Sequence, residues 1–272
     1  MFYPLKFKPI FKDYLWGGRN LLKLQKPLPK GNIAESWEIS THKSGESIIA
    51  NGKFNHVLLK HLIDLYPNEV LGSNVICSEK TGFPLLIKFI DANDRLSVQV
   101  HPDDYYANKF EHGQYGKNEM WYVLDAKDNS KLVCGLKKGI TKEIFKDSIK
   151  NNEVSKCLNY IDVKPGDIIN IPAGTVHAIG DGILICEIQQ SSDLTYRIYD
   201  YDRKDKCGRK RPLHVSKALD VINFNETNVK SKYKGVKCCI NSTCYKTYVA
   251  LTDKFSVEIR SEEHTSELQS PR

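Results

Sequence analysis

The chain has 272 residues, 40% of them hydrophobic and 27% charged, with a formal net charge of +7. That length can bury a substantial core, as one elaborate domain or two smaller ones. The composition excludes a disordered chain, and no apolar run reaches the roughly 20 residues that cross a bilayer as a helix. The N-terminus, MFYPLKFKPIFKDYLWGG, has no apolar core of the kind a secretory leader needs, and the eight cysteines show no paired spacing. A reduced, cytoplasmic setting is the expectation.

Residues 1–45 alternate short apolar runs with Gly and Pro and carry two aromatic-bearing turns, at Trp16 and Trp37. These tryptophans suit either a sugar-lining surface or plain core packing. The spacing of Leu58, Leu59, Leu62 and Leu65 predicts a helix over 55–65 with Asn55 as its cap. Residues 83–90, FPLLIKFI, read as a strand with Lys88 on the same face as Leu86 and Ile90. Lys88 then either snorkels to solvent or enters a barrel interior as a desolvated amine of lowered pKa, fit to act as a base. Asp103-Asp104 can cap a short helix over 105–111. A second helix over 142–149 follows Thr141, with Ile144, Phe145 and Ile149 as its apolar stripe. Short strands are predicted at 167–171, 176–179, 183–189 and 195–199, a helix at 213–222, and further strands at 236–240, 245–250 and 255–259. Many short strands with a few inserted helices point to a mainly β fold, an antiparallel barrel or jelly roll.

Two charged or sulfur-rich stretches carry less. The run from Arg203 to Arg211 holds much of the excess positive charge but has no interleaved aromatic residue, so a solvated hairpin loop is expected rather than a nucleic-acid contact. Cys238, Cys239 and Cys244 have no second ligand pair beside them and read as free strand cysteines.

The stretch QVHPDDYYANKFEHGQYGKNE, residues 99–119, holds the makings of a metal site. Gln99 and His101 alternate with Val98 and Val100, so on a strand both leave one face. Glu119 enters from the next apolar run, MWYVL, and His177 ends the segment IPAGTVH. An amide oxygen, a carboxylate and two imidazoles make a four-ligand pocket for a divalent cation. Residues 166–177, GDIINIPAGTVH, match the second cupin motif at every fixed position, with Pro172 and Gly174 shaping the turn that aims His177 inward.

The segments QVHPDD, GKNEMWYVLDA, IPAGTVHAIG and SSDLTYRIYDYDR, with the early WGG and ESWEIS, resemble the type I mannose-6-phosphate isomerases in their short bacterial form. The resemblance runs from about residue 3 to about residue 259 and implies a cupin jelly roll with inserted helices, followed by an incomplete second β domain. It implies zinc held by Gln99, His101, Glu119 and His177, with Arg197, Lys117 and Lys88 as active-site cations. It also implies interconversion of mannose 6-phosphate and fructose 6-phosphate through an enediolate. The expected partner is a sugar phosphate rather than nucleic acid or membrane, and the expected state a monomer. Two other classes stay open: a non-haem iron cupin dioxygenase, disfavoured because Gln99 takes a position that oxygen needs, and a non-catalytic cupin that binds sugar phosphates.

The expected layout is a catalytic barrel over 1–202, a linker and helix over 203–222, and the start of a truncated second β domain over 223–259. The tail RSEEHTSELQSPR, residues 260–272, has one aliphatic residue, Leu268, and no core periodicity. It resembles translated sequencing-library adapter and is expected to lie outside the natural fold and pack against nothing.

Overall fold

Alternation of apolar and polar residues along the strands builds two facing sheets. The structure, a computed structural model, describes residues 2–72, 82–205, 207–225, 232, 235–239 and 244–262. In chain order its strands are β1 (Ile10–Lys12), β2 (Glu35–Ile39), β3 (Thr41–His42), β4 (Gly45–Glu46), β5 (Leu85–Ala92) and β6 (Val98–Val100). Then come β7 (Glu119–Ala126), β8 (Lys131–Leu136), β9 (Leu158–Asp162), β10 (Ile168–Ile171), β11 (His177–Ile179), β12 (Ile183–Gln190) and β13 (Tyr196–Tyr199). Three more, β14 (Val236–Cys239), β15 (Cys244–Leu251) and β16 (Ser256–Glu262), follow the last helix. The helices are α1 (Leu59–Leu65), α2 (Pro67–Leu71), α3 (Asp104–Phe110), α4 (Lys142–Lys150) and α5 (Val215–Val221).

One sheet has six strands in the order β1-β2-β5-β12-β7-β10, and the other five in the order β13-β6-β11-β8-β9. Their inner faces meet in a core of Ile90, Ala92, Trp121, Val123, Leu132, Ile169, Ile179, Ile183 and Ile185. On the outside of the five-stranded sheet, Val98, Val100, Tyr196 and Ile198 are covered by Phe145 of α4 and by Ala218 and Leu219 of α5. Burying a side chain such as Phe145, which is 0% exposed, contributes about 1.5–3 kcal/mol. The C-terminal sheet, β14-β15-β16, lays Val249, Ala250 and Phe255 on Met120 and Ile168, the outer face of the six-stranded sheet. The mainly β, antiparallel jelly roll expected from the strand pattern is the observed fold.

Chain reversals between the two sheets decide what the interior holds. The chain leaves β10 in one sheet and enters β11 in the other through the turn at 172–176. Gly174 sits there at φ +85°, a conformation a side chain would strain, and its N–H donates to the His101 carbonyl at 2.9 Å. The chain crosses again between β6 and β7, through α3, whose cap is Asp103 accepting from the Tyr106 N–H at 2.8 Å.

Several local expectations need correction. The first helix starts at Leu59 rather than Asn55, because 52–54 form a 3-10 turn that Asn55 closes. Thr141 caps α4 as expected, but Ile144 is 48% exposed and only Phe145 of its turn enters the core. The last strand does not stop at Ile259: β16 continues through Glu262, pairing Arg260 with Lys246 and Glu262 with Cys244. Residues 263–272, like Lys206 of the basic run, lie outside the described residues.

Candidate metal centre and cavity

The two sheets divide the donors between them. Gln99 and His177 are direct partners across β6 and β11, and His101 follows β6 by one residue, all in the five-stranded sheet or its continuation. Glu119 begins β7 in the six-stranded sheet and faces them across the barrel. His101, Glu119 and His177 are all buried, and one donor atom from each lies within 4.8 Å of the others. His101 Nε2 is 3.5 Å from Glu119 Oε2, and His177 Nε2 is 3.3 Å from Glu119 Oε1. Donors bound at zinc distances in a tetrahedron lie about 3.3–3.6 Å apart, so the spacing fits a shared cation.

The hydrogen bonds around the imidazoles point the same way. His101 Nδ1 donates to the Leu194 carbonyl at 2.7 Å and His177 Nδ1 to the Thr175 carbonyl at 2.9 Å. With both Nδ1 atoms spent as donors, each Nε2 turns a lone pair into the cavity. The Gln99 amide nitrogen is 3.3 Å from His177 Nε2, and a flip of that amide presents its oxygen instead. Both Glu119 oxygens are buried without an aligned hydrogen bond, although the Lys117 ammonium stands 2.8 Å from Oε2. Burial by itself raises a carboxyl pKa, but the Lys117 ammonium outweighs it and holds Glu119 well below the usual range. His101 is pushed down to about 3, first by burial and then by Lys117, and burial lowers His177 as well. Two neutral imidazoles and an ionised carboxylate are a donor set for a divalent cation.

Beyond these donors opens a cavity of about 380 Å³ lined by Tyr14, Trp16, Glu35, Lys88, Lys117, Glu187, Asp193, Arg197 and Arg211, among others. Lys88 enters it, only 6% exposed, so the snorkelling alternative is set aside. The lowered pKa is set aside too. Burial pulls the ammonium down, but Glu187 Oε1 at 3.1 Å and Glu35 Oε2 at 3.6 Å pull harder, and Lys88 ends above the usual lysine range. Lys117 contacts the donor cluster directly, 3.2 Å from His101 Nε2, and is 3.6 Å from Glu187. Its position depends on Gly116, where a Cβ would meet the Asp103 carbonyl carbon at 2.3 Å. Arg197, paired with Gln99 across β13 and β6, reaches the Ser97 hydroxyl at 3.3 Å and the Pro212 carbonyl at 3.0 Å.

The sequence reading missed Glu187, Glu35 and Arg211. Glu187 had a legible signal, a lone carboxylate two residues from Ile185 in the run ILICEIQQ. It is 2% exposed and accepts from the Trp121 indole at 2.9 Å. Glu35 accepts from the Trp37 indole at 2.6 Å, so Trp37 braces a carboxylate while Trp16 lines the cavity. The basic run is a hairpin, bridged at Lys204 and Lys210, but its end is not solvated: Arg211 turns inward to Asp200. Among the described residues, the cysteines Cys134, Cys157, Cys186, Cys207 and Cys238 are free.

Comparison with known proteins agrees with this geometry. The family profile for phosphomannose isomerase type I, catalytic domain, matches residues 5–142. Mannose-6-phosphate isomerase ManA of Bacillus subtilis is 43% identical over 219 residues, which span 80% of this chain and 68% of that protein. Mannose-6-phosphate isomerase of Streptococcus mutans is 42% identical over 224 residues, 82% of this chain and 69% of its own. The crystal structure of the Bacillus subtilis mannose 6-phosphate isomerase matches with a TM-score of 0.86 and 34% identity, covering 94% of this chain and 79% of that one. A zinc-bound mannose 6-phosphate isomerase matches in fold, with a TM-score of 0.68 at 14% identity, over 93% and 82% of the two chains.

Proposed function

The chain belongs to the type I phosphomannose isomerase family, and from that premise we propose that it interconverts mannose 6-phosphate and fructose 6-phosphate through an enediolate, using one zinc ion held by Gln99, His101, Glu119 and His177. The observation that carries the zinc assignment is the inward pair of Nε2 atoms, 3.3–3.5 Å from the Glu119 carboxylate, with both Nδ1 atoms tied to backbone carbonyls. Zinc at these donors supplies Lewis acidity to the neighbouring C1 and C2 oxygens.

The protein's own groups do the rest. Lys117, beside the donor cluster, offers an ammonium to the negative charge that develops at those oxygens. Moving a proton between C1 and C2 needs a base, and Lys88, held protonated, does not supply it. The Glu187 carboxylate does: with its Oε2 anchored by Trp121 and its Oε1 beside the Lys88 ammonium, it takes the proton from one carbon and returns that same proton to the other, while Lys88 keeps its charge. Arg197 adds a second fixed positive charge on the side of Gln99. The apolar walls Trp16, Ile90, Leu96 and Ile179 keep the reacting carbons away from bulk water. Two histidines and a carboxylate would also suit iron, but Gln99, beside His177, would as a fourth ligand take one of the positions that oxygen chemistry uses.

Metal replacement tests the reading. Zinc added to chelator-treated protein is expected to restore mannose 6-phosphate turnover at about one equivalent per chain, while His101→Ala loses both bound zinc and turnover. Full turnover by His101→Ala, or recovery with ferrous iron and not with zinc, refutes it.

A further inference from the structure

The two imidazoles of the donor cluster are braced in different ways. His177 Nδ1 donates to the carbonyl of Thr175, two residues back in its own turn, so the segment that delivers the ring also orients it. His101 Nδ1 donates to the carbonyl of Leu194, 93 residues further along the chain. Leu194 belongs to residues 191–195, which carry the chain from β12 in the six-stranded sheet to β13 in the five-stranded one. The direction of the His101 ring is therefore only as definite as the course of that crossing segment.

Gln189 fixes that course from inside the barrel. It continues the inward face of Ile183, Ile185 and Glu187 on β12, stands opposite Glu119 of β7, and is 0% exposed. Its Nε2 donates to the Ser192 carbonyl at 2.6 Å and to the Gln190 carbonyl at 2.8 Å, which folds the chain back over the end of the strand. Both amide hydrogens are spent on carbonyls, so the amide has one orientation, and its Oε1 is left buried without a hydrogen-bond partner among the described residues. An apolar side chain would leave no orphaned oxygen there, so the two donated bonds are what the position gains from glutamine. From Ser192 the path to the metal ligand is short. Ser192 Oγ donates to the Tyr115 carbonyl at 2.9 Å and accepts from the Leu194 N–H at 3.4 Å, and the Leu194 carbonyl meets His101 Nδ1 at 2.7 Å. Backbone bonds hold the start of the segment, from the Ser191 N–H to the Pro84 carbonyl at 2.9 Å and from the Ser192 N–H to the Gln190 carbonyl at 2.7 Å. Past that point the side chains of Gln189 and Ser192 direct it.

We infer that Gln189 is a positioning residue for His101, acting through Ser192 and the Leu194 carbonyl. The inference rests on the reading of His101 as a zinc ligand, so its test has one arm with metal and one without. Partners that orient a ligating imidazole are worth about 10–100-fold in metal affinity. Gln189→Met keeps the length and the burial and loses both donated bonds. It is expected to weaken zinc binding, measured by competition with a chelator, by a factor in that range. Ser192→Ala keeps the carbonyl that Gln189 holds and removes the hydroxyl between Tyr115 and Leu194, so a smaller weakening is expected. In the metal-free protein, nitrogen NMR reads the ring tautomers directly. The parent carries its proton on Nδ1 of both rings; in Gln189→Met the His101 ring is expected to move toward the form protonated on Nε2, while His177, braced by its own turn, keeps its tautomer. A general loosening of the barrel would move both rings, so this contrast separates positioning from a structural role. If the parent binds no zinc, the zinc reading fails and the His101 tautomer still decides the inference. Parent-like zinc affinity or a parent-like His101 tautomer in folded Gln189→Met overturns it, as does an equal change at both histidines. Should that variant not fold, Ser192→Ala decides by the same two readouts.

Discussion

At the scale of the residue, the interior is set by which groups keep their charge when buried. His101 and His177 are neutral in the fold because burial lowers both, while Glu119 stays ionised because the Lys117 ammonium faces it. This gives the metal-free protein a definite acid limit. A histidine depressed on folding takes up its proton more readily in the unfolded chain, so its contribution is intact above pH 6.5 and declines as pH falls from there toward about 3 for His101. Each pH unit in that window costs about 1.4 kcal/mol for a histidine that stays neutral in the fold. Glu119, also depressed, adds its loss only below its unfolded value of 4.5. Metal-free protein is therefore expected to lose urea resistance between pH 6.5 and 5, before carboxylates protonate, and His101→Gln to flatten that slope. An unfolding midpoint independent of pH across that interval in the parent counts against a neutral buried His101. A divalent cation held by the proposed donors would shift the limit further down, since protons and metal compete for the same atoms.

At the scale of the element, the loop between α3 and β7 matters most, because it hands the chain from one sheet to the other just before Glu119. Gly116 donates to Asp104 Oδ1 at 2.8 Å, and Lys117 donates its N–H to the Pro102 carbonyl at 3.0 Å, so the loop is clamped to the start of α3. Gly116→Ala puts a methyl group into the Asp103 backbone, a collision that costs about 1–3 kcal/mol by displacing one of the two segments. A shift of about 1 Å in Lys117 is worth roughly a hundredfold in turnover. The expected outcome is a lower denaturation midpoint and a kcat reduced by about that factor, measured with zinc saturating; an unaltered kcat would remove Lys117 from the reacting centre. This loop was only partly legible. The cap at Asp103 and the helix after it follow from local spacing, whereas the need for glycine at 116 arises from the backbone of Asp103 and Asp104, on the far side of α3, which no local pattern records.

At the scale of the whole molecule, the donors join the two sheets. Gln99, His101 and His177 belong to one and Glu119 to the other, so a cation held by all of them ties the barrel shut at its polar end. Binding only to the folded chain, zinc at a free concentration a thousand times its dissociation constant stabilises by about 4 kcal/mol. Chelation is therefore expected to lower Tm by several degrees in a calorimetric scan, and a Tm unmoved by chelator argues against a cation shared between the sheets. Alternation, turn chemistry and motif spacing, which are properties of neighbouring residues, were enough to place the barrel, the strand faces and the turn that delivers His177. Only the tertiary structure decided the state of Lys88, whose pKa follows from Glu35 and Glu187 on adjoining strands, and the inward course of Arg211, drawn to Asp200 across a hairpin. Electrostatic partners of this kind are set by register between strands distant in the chain, and the charge of a buried group is a property of that register rather than of the residue alone.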